Sequence, residues 1–183
     1  ASRRRRTAPR PRPGTRGTAL IFDGDGDSAD SAAPVLDTTE DYTVAAWVTL
    51  DKLPANYASA VSQDGRSREN PFYLQYGQGA FAFSTPGGNR ARLAVTPELN
   101  RWYHLVGVRD HAGGEARLYV DGVPAAAVPA GPDVVSTGPL SVGRAKYAGN
   151  PTDYWSGAVD QVHAYDRALT DAEVAALYAA EKP

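Results

Sequence analysis

From Ala19 onward, apolar residues recur at every second position in short runs broken by Gly, Pro, Asn or Asp, and this period of two limits the possible folds more than any other feature. Residues 42–50 place Val44, Ala46, Val48 and Leu50 on one face and Thr43, Ala45, Trp47 and Thr49 on the other. Both faces are mostly apolar, so that strand is expected between two covering layers. Shorter runs follow at 58–62, 72–76, 80–84, 91–95, 102–109, 115–120, 140–144 and 157–165. Asp121-Gly122, set between Val120 and Val123, is a two-residue hairpin signal, because a type I′ turn needs two residues that tolerate positive φ. The last element differs. Thr170-Asp171-Ala172-Glu173 reads as a capping box, and Val174, Leu177 and Tyr178 fall at i, i+3 and i+4, the stripe of a short helix lying against the strands. The fold class expected is all-β: a two-sheet antiparallel sandwich of about ten or eleven strands with one short C-terminal helix.

Composition narrows the function classes. The 183 residues suffice for one domain with a core of its own. The absence of Cys excludes disulfides, thiolate catalysis and Cys-ligated zinc. No run nears the roughly 18 apolar residues of a membrane span, so the chain reads as soluble. Met is absent even at position 1, which reads as a processed or excised piece of something longer. Charge is unevenly placed. Residues 1–18 hold seven Arg and no acid, leaving 12 Lys+Arg against 21 Asp+Glu in the rest, so a tail of +7 precedes a body of −9. Alternating Arg and Pro with almost no apolar side chain predict a disordered linker over 1–18, before a domain over 19–183. The tail is either a solvated linker or a contact for a polyanionic surface. An acidic body argues against nucleic-acid binding by the folded part.

Six segments, in order, resemble laminin G-like jelly-roll modules of the concanavalin A-like lectin/glucanase sandwich group. They are the opening Leu20-Ile21-Phe22-Asp23-Gly24, Tyr42-Thr43-Val44-Ala45-Ala46-Trp47-Val48, Trp102-Tyr103-His104-Leu105-Val106, Arg117-Leu118-Tyr119-Val120-Asp121-Gly122, Pro139-Leu140-Ser141-Val142-Gly143-Arg144, and residues 155–169 ahead of the capped helix. The Ala-rich composition and the 62–65 and 72–76 stretches look most like actinobacterial members. The resemblance implies a jelly roll, and a noncatalytic module of a secreted or cell-surface protein that contacts extracellular polysaccharide. A protein-interaction or spacer domain, contacting a neighbouring protein domain, is the alternative.

Candidate sites follow from chemistry. Asp23-Gly24-Asp25-Gly26-Asp27 alternates carboxylates in a Gly-rich turn, which suits a hard cation. It is not an EF-hand loop: counted from Asp23, position 6 is Ser28 and position 12 is Pro34. The resemblance makes the first and last strands neighbours, and so implies a structural Ca²⁺ held by Asp23, Asp27 and Asp160. For a glycan, two polar-aromatic stretches are the candidates, Gln63, Asp64 and Arg66 with Arg68, Tyr73, Gln75 and Tyr76, and residues 147–155 with Tyr147, Asn150, Asp153 and Tyr154; Arg144, like Tyr147, is expected to be exposed and is a candidate with them. Trp47, Trp102 and Trp155 sit in motifs where the family places core aromatics. Hydrolysis of a glycosidic bond needs two carboxylates facing it, and none of the six Glu share a strand at that spacing. Gln161-Val162-His163 superficially resembles a polysaccharide-lyase motif, with both side chains on one strand face. The segment carrying the lyase Tyr has no counterpart.

Overall fold

The structure, a computed structural model, describes residues 10–15, 17–65, 69–93 and 95–183. In chain order the first strands are β1 (Arg10–Pro13), β2 (Thr18–Asp23), β3 (Ala29–Asp30), β4 (Tyr42–Val48) and β5 (Tyr57–Gly65). Next come β6 (Tyr73–Gly77), β7 (Ala80–Ser84), β8 (Arg90–Arg92), β9 (Tyr103–Asp110) and β10 (Glu115–Val120). The chain closes with β11 (Val123–Pro129), β12 (Ser136–Val142), β13 (Ala145–Tyr147), β14 (Asn150–Thr152), β15 (Ser156–Tyr165) and helix α1 (Asp171–Glu181). They form two antiparallel sheets, β1-β2-β15-β4-β9-β10-β11 (sheet A) and β3-β12-β5-β6-β7-β8 (sheet B), with β13-β14 as a separate hairpin. This is the expected all-β jelly-roll sandwich.

Strand alternation builds the core. Val44, Ala46 and Val48 of β4 and Leu50 beyond it turn inward with Leu105 and Leu118, and meet Val61, Leu74, Phe81 and Phe83 of sheet B. The other face of β4 is also covered: Ala45 joins Val106, Val108 and Tyr119 beneath Leu169 and Val174. The helix starts at a complete cap, Thr170 Oγ1 accepting from the Glu173 amide while Glu173 reaches back to the Thr170 amide, and lies there because Val174 and Leu177 pack on that face. Tyr178 stacks on Trp47, with ring centroids 5.6 Å apart. Asp121 and Gly122 adopt φ of 52° and 78°, as the hairpin signal requires.

One expectation is corrected here. Part of the presumed linker is ordered: β1 pairs with β2 from Arg10↔Ile21 to Pro13↔Thr18. The ordering has a source, since Thr15 donates both its amide (2.8 Å) and its hydroxyl (2.9 Å) to Asp160 Oδ2, tying the arm to β15. Residues 1–9, with Arg3 to Arg6, lie outside the described residues.

A candidate glycan cleft on sheet B

With Leu74 and Tyr76 of β6 and Phe81 and Phe83 of β7 pointing into the core, the period of two turns Tyr73, Gln75 and Ser84 to the opposite face. A cleft of about 250 Å³ opens over them. Its walls are Tyr57 from β5, Arg90 from β8, Glu69, and Tyr147 and Asp153 from the β13-β14 hairpin and its exit.

Each wall is held in place. Tyr57 pairs with Gly77 across the β5–β6 ladder. A Cβ at position 77 would sit 2.2 Å from the Tyr57 ring, so glycine is what lets that ring lie down on β6. Arg90 fixes the ring from the other side, donating from Nη2 to the Tyr57 hydroxyl at 2.7 Å and from Nη1 to Gln78 at 3.0 Å. The hairpin carrying Tyr147 is anchored through Asn70, which is fully buried. Its Oδ1 accepts from the Lys146 amide (2.7 Å) and its Nδ2 donates to the Gln63 carbonyl (2.8 Å). The Ser59 amide holds the hairpin's exit through the Asp153 carbonyl at 2.8 Å.

Burial sets the electrostatics. It pushes the Tyr73 hydroxyl up to about 12, where it stays protonated, accepting from the Asn70 amide at 3.0 Å. It also raises Asp153, against a 3.2 Å hydrogen bond from Thr152. On the floor, Gln75 Nε2 donates to Ser84 Oγ at 2.8 Å. Tyr147, 61% exposed, leaves a ring open at the rim.

The structure sorts the residues expected from sequence. Tyr147 lines the cleft, as do Tyr73, Gln75 and Asp153 from the same stretches. Asn150 is exposed at the hairpin tip, bonded to the Ala148 carbonyl. Four expected ligand contacts are structural instead. Gln63 is fully buried, its amide exchanging hydrogen bonds with the backbone of Val35 and Leu36. Arg144 is buried in a fork on Asp64 (2.9 and 3.1 Å) with Asp30 at 3.0 Å, so neither Asp64 nor Arg144 is presented to a ligand. Tyr76 sits in the core because it shares the inward parity of Leu74. Arg66 and Arg68 lie outside the described residues. Tyr57, Glu69, Ser84 and Arg90 were not singled out from the sequence; the pairing of β5, β6, β7 and β8 that gathers them has no local signal. Trp47 and Trp155 are buried as expected, and Trp102 is half-buried.

The cation set is also corrected. β2 and β15 are neighbours, as the resemblance implied, but their register sets Asp23 opposite Ser156 and Leu20 opposite Val159. Asp160 therefore falls beside Ala19, four residues along the strand from Asp23, or about 13 Å at the usual rise. There its Oδ2 serves Thr15 and its Oδ1 accepts from the Gln161 amide at 2.9 Å. Asp23 Oδ1 accepts from the Asp25 amide at 2.7 Å within the opening turn. Asp23, Asp27 and Asp160 do not fit one Ca²⁺ shell, and among the described residues no group of three His, Cys, Asp or Glu is placed to hold a metal.

The Gln161–His163 alternation is broken as well. Gln161 has φ of 45° and the β15–β4 register slips between Asp160 and His163. His163 Nε2 lies 2.6 Å from Glu181 Oε1, and the other Glu181 oxygen accepts from Trp47 Nε1 at 3.1 Å, the hydrogen bond that fastens the helix end to sheet A.

A model of the Concanavalin A-like lectin/glucanases superfamily matches residues 23–175. Among solved structures, domain 4 of AbnA, a GH43 extracellular arabinanase from Geobacillus stearothermophilus, in complex with arabinotriose, superposes with a TM-score of 0.74 at 20% identity, covering 92% of this chain and 80% of that one. A SAP-like pentraxin from Limulus polyphemus gives 0.65 at 19%, covering 86% and 80%. Trypanosoma rangeli sialidase gives 0.65 at 21%, covering 89% of this chain but only 27% of its own length. A search of the curated proteins returns no match. At such identities the structural likenesses speak to fold, and they agree with the six sequence segments. With the family model spanning most of its length, the chain belongs to the concanavalin A-like lectin/glucanase superfamily.

Proposed function

We propose that the chain is a noncatalytic carbohydrate-binding module that seats a segment of polysaccharide in the cleft on sheet B. The observation that carries this reading is the gathering, in one open cleft, of three tyrosines with an amide, a hydroxyl, a carboxylate and a guanidinium that are already oriented by the protein. Apolar ring faces with a few fixed polar groups are what a sugar ring needs, because its axial C–H faces stack and its hydroxyls need paired donors and acceptors. The cleft is smaller than the roughly 300–1,000 Å³ of sites that engulf a ligand. It suits one or two rings, with the rest of a chain in solvent. The arabinotriose complex of the arabinanase domain supports the class of ligand, and the extracellular nature of that enzyme supports placement outside the cell or at its surface.

The test is affinity electrophoresis and titration calorimetry against linear arabinan, xylan, soluble β-1,4-glucan and linear β-1,3-glucan. At least one is expected to bind saturably, without release of reducing ends. Tyr147→Ala is expected to weaken binding about tenfold, the cost of one aromatic anchor. Binding unchanged by Tyr147→Ala, or no binding by any polymer, overturns the reading.

A second reading, contact with a neighbouring protein domain, draws on a separate apolar groove. It is lined by Phe81, Tyr103, Val120 and Pro124 and flanked by Val95 and Val123, each 61% exposed. Pull-down by the intact chain that is lost on Val123→Asp favours it.

A further inference from the structure

Resting on the carbohydrate reading, we infer that the cleft floor recognises a vicinal diol, two hydroxyls on adjacent carbons of a sugar ring, through Gln75 and Ser84. Both residues are more than nine-tenths buried yet line the cleft. Gln75 Nε2 spends a proton on Ser84 Oγ, and this single 2.8 Å bond fixes what each has left to offer. Gln75 Oε1 keeps its lone pairs and Nε2 its second N–H, and the Ser84 hydroxyl, used as an acceptor, keeps its proton. An acceptor and a donor thus stand side by side, held by a bond between neighbouring strands.

Two adjacent ring hydroxyls complement that pair, one donating to Gln75 Oε1 while the other accepts from Ser84. A lone hydroxyl can meet both only by bridging them with one oxygen, whereas two adjacent hydroxyls give each group a partner of its own, and a buried polar group left unpaired is what makes such a site reject the wrong ligand. A third group lies in the same row. Ser59 stands opposite Gln75 in the β5–β6 ladder, and therefore on the same face; its hydroxyl is fully buried and has no hydrogen-bond partner among the described residues. Beneath the tyrosines, β6 and β7 thus present the Gln75–Ser84 pair to the cleft, while the Ser59 hydroxyl beside it on β5 is enclosed.

The class of ligand follows from linkage chemistry. Internal units of 1,4-linked pyranans and of 1,5-linked arabinofuranan keep the 2- and 3-hydroxyls free. Internal units of a linear 1,3-linked glucan have no two adjacent free hydroxyls. The module is therefore expected to take 1,4- or 1,5-linked chains and to reject the 1,3-linked one.

The experiment measures binding of linear arabinan, xylan, soluble β-1,4-glucan and linear β-1,3-glucan by the full chain and by Ser84→Ala, Gln75→Met and Tyr147→Ala, with melting curves confirming that each variant folds. The expected result is retention of at least one of the first three, no retention of the 1,3-linked glucan, and a loss of about 5–10-fold on Ser84→Ala or Gln75→Met, the worth of one hydrogen bond. Preference for the 1,3-linked glucan overturns the inference. So does affinity that Ser84→Ala and Gln75→Met leave unchanged while Tyr147→Ala abolishes it, and in that case the cleft still stands as the carbohydrate site. If Tyr147→Ala changes nothing, or no polymer binds, the carbohydrate reading and this inference fall together.

Discussion

Asp64→Ala separates a structural role from a ligand contact at the position where sequence and geometry disagree most. Arg144 is almost wholly enclosed, and both its terminal nitrogens are spent: Nη1 on Asp64 Oδ1, Nη2 on Asp64 Oδ2 and Asp30 Oδ1. Burial works against the charge on the guanidinium, yet the two carboxylates outweigh it and hold Arg144 protonated. Removing Asp64 strips the fork and leaves a buried cation with one carboxylate, and it also frees Asn70 Nδ2 from a 3.3 Å contact. Breaking a buried pair from one side costs about 3–5 kcal/mol. Because Asp30 remains, the lower end, about 3 kcal/mol, is expected. For a domain of this size that is a fall in Tm of about 6–12 °C. The assay is thermal unfolding followed by circular dichroism, paired with glycan binding well below the transition. Asp64→Asn, which keeps the shape and loses the charge, is expected to fall between. An unchanged Tm together with lost binding would instead make Asp64 a ligand contact.

Three further expectations test other parts of the structure. His104 is fully buried between Trp47 and Tyr178, and burial, aided by His163, lowers its pKa to about 4. The unfolded chain therefore takes that proton first. Stability from this group is complete above about pH 6.5 and is lost as pH falls toward 4, by roughly 3 kcal/mol; His104→Phe flattens that window in urea titrations at stepped pH. Asp160→Asn weakens the hold on the N-terminal arm, so amides at 18–21 exchange faster by hydrogen–deuterium mass spectrometry, equally in calcium and in EDTA. A difference confined to calcium contradicts the strand register described above. Gly77→Ala drives its new methyl into the Tyr57 ring and is expected to weaken glycan binding at least as much as Tyr57→Ala, read by calorimetry.

What the sequence disclosed is what is encoded locally. The buried β4, the Asp121-Gly122 turn and the Thr170 cap each depend on residues within a few positions of one another, and each stands in the structure as read. The pairing of β2 with β15 was legible through family resemblance, but not its register. A period of two is unchanged by a slip of two residues, so nothing in the alternation tells Asp160 beside Asp23 from Asp160 beside Ala19. The same blindness hides the Asp64–Arg144 fork, whose partners are 80 residues apart; from sequence, a buried ion pair and a polar ligand wall look alike. At Tyr76 the information was present. Strand parity already separates Tyr73 and Gln75 from Leu74 and Tyr76, and taking the whole stretch as one surface mixed the two faces. Arg10–Pro13 ran the other way: its composition speaks for disorder, and long-range bonds from Thr15 to Asp160 override it.

On the proposed reading, the outer face of sheet B is where this domain meets sugar. A crystal structure, or amide and side-chain chemical-shift mapping, of the chain saturated with the polymer fragment it retains best tests this most directly. The expected result is a ring stacked on Tyr147, with two of its hydroxyls on Gln75 and Ser84. A ligand seated instead on the groove beside Val123, or on the Asp23–Asp27 turn, would contradict it.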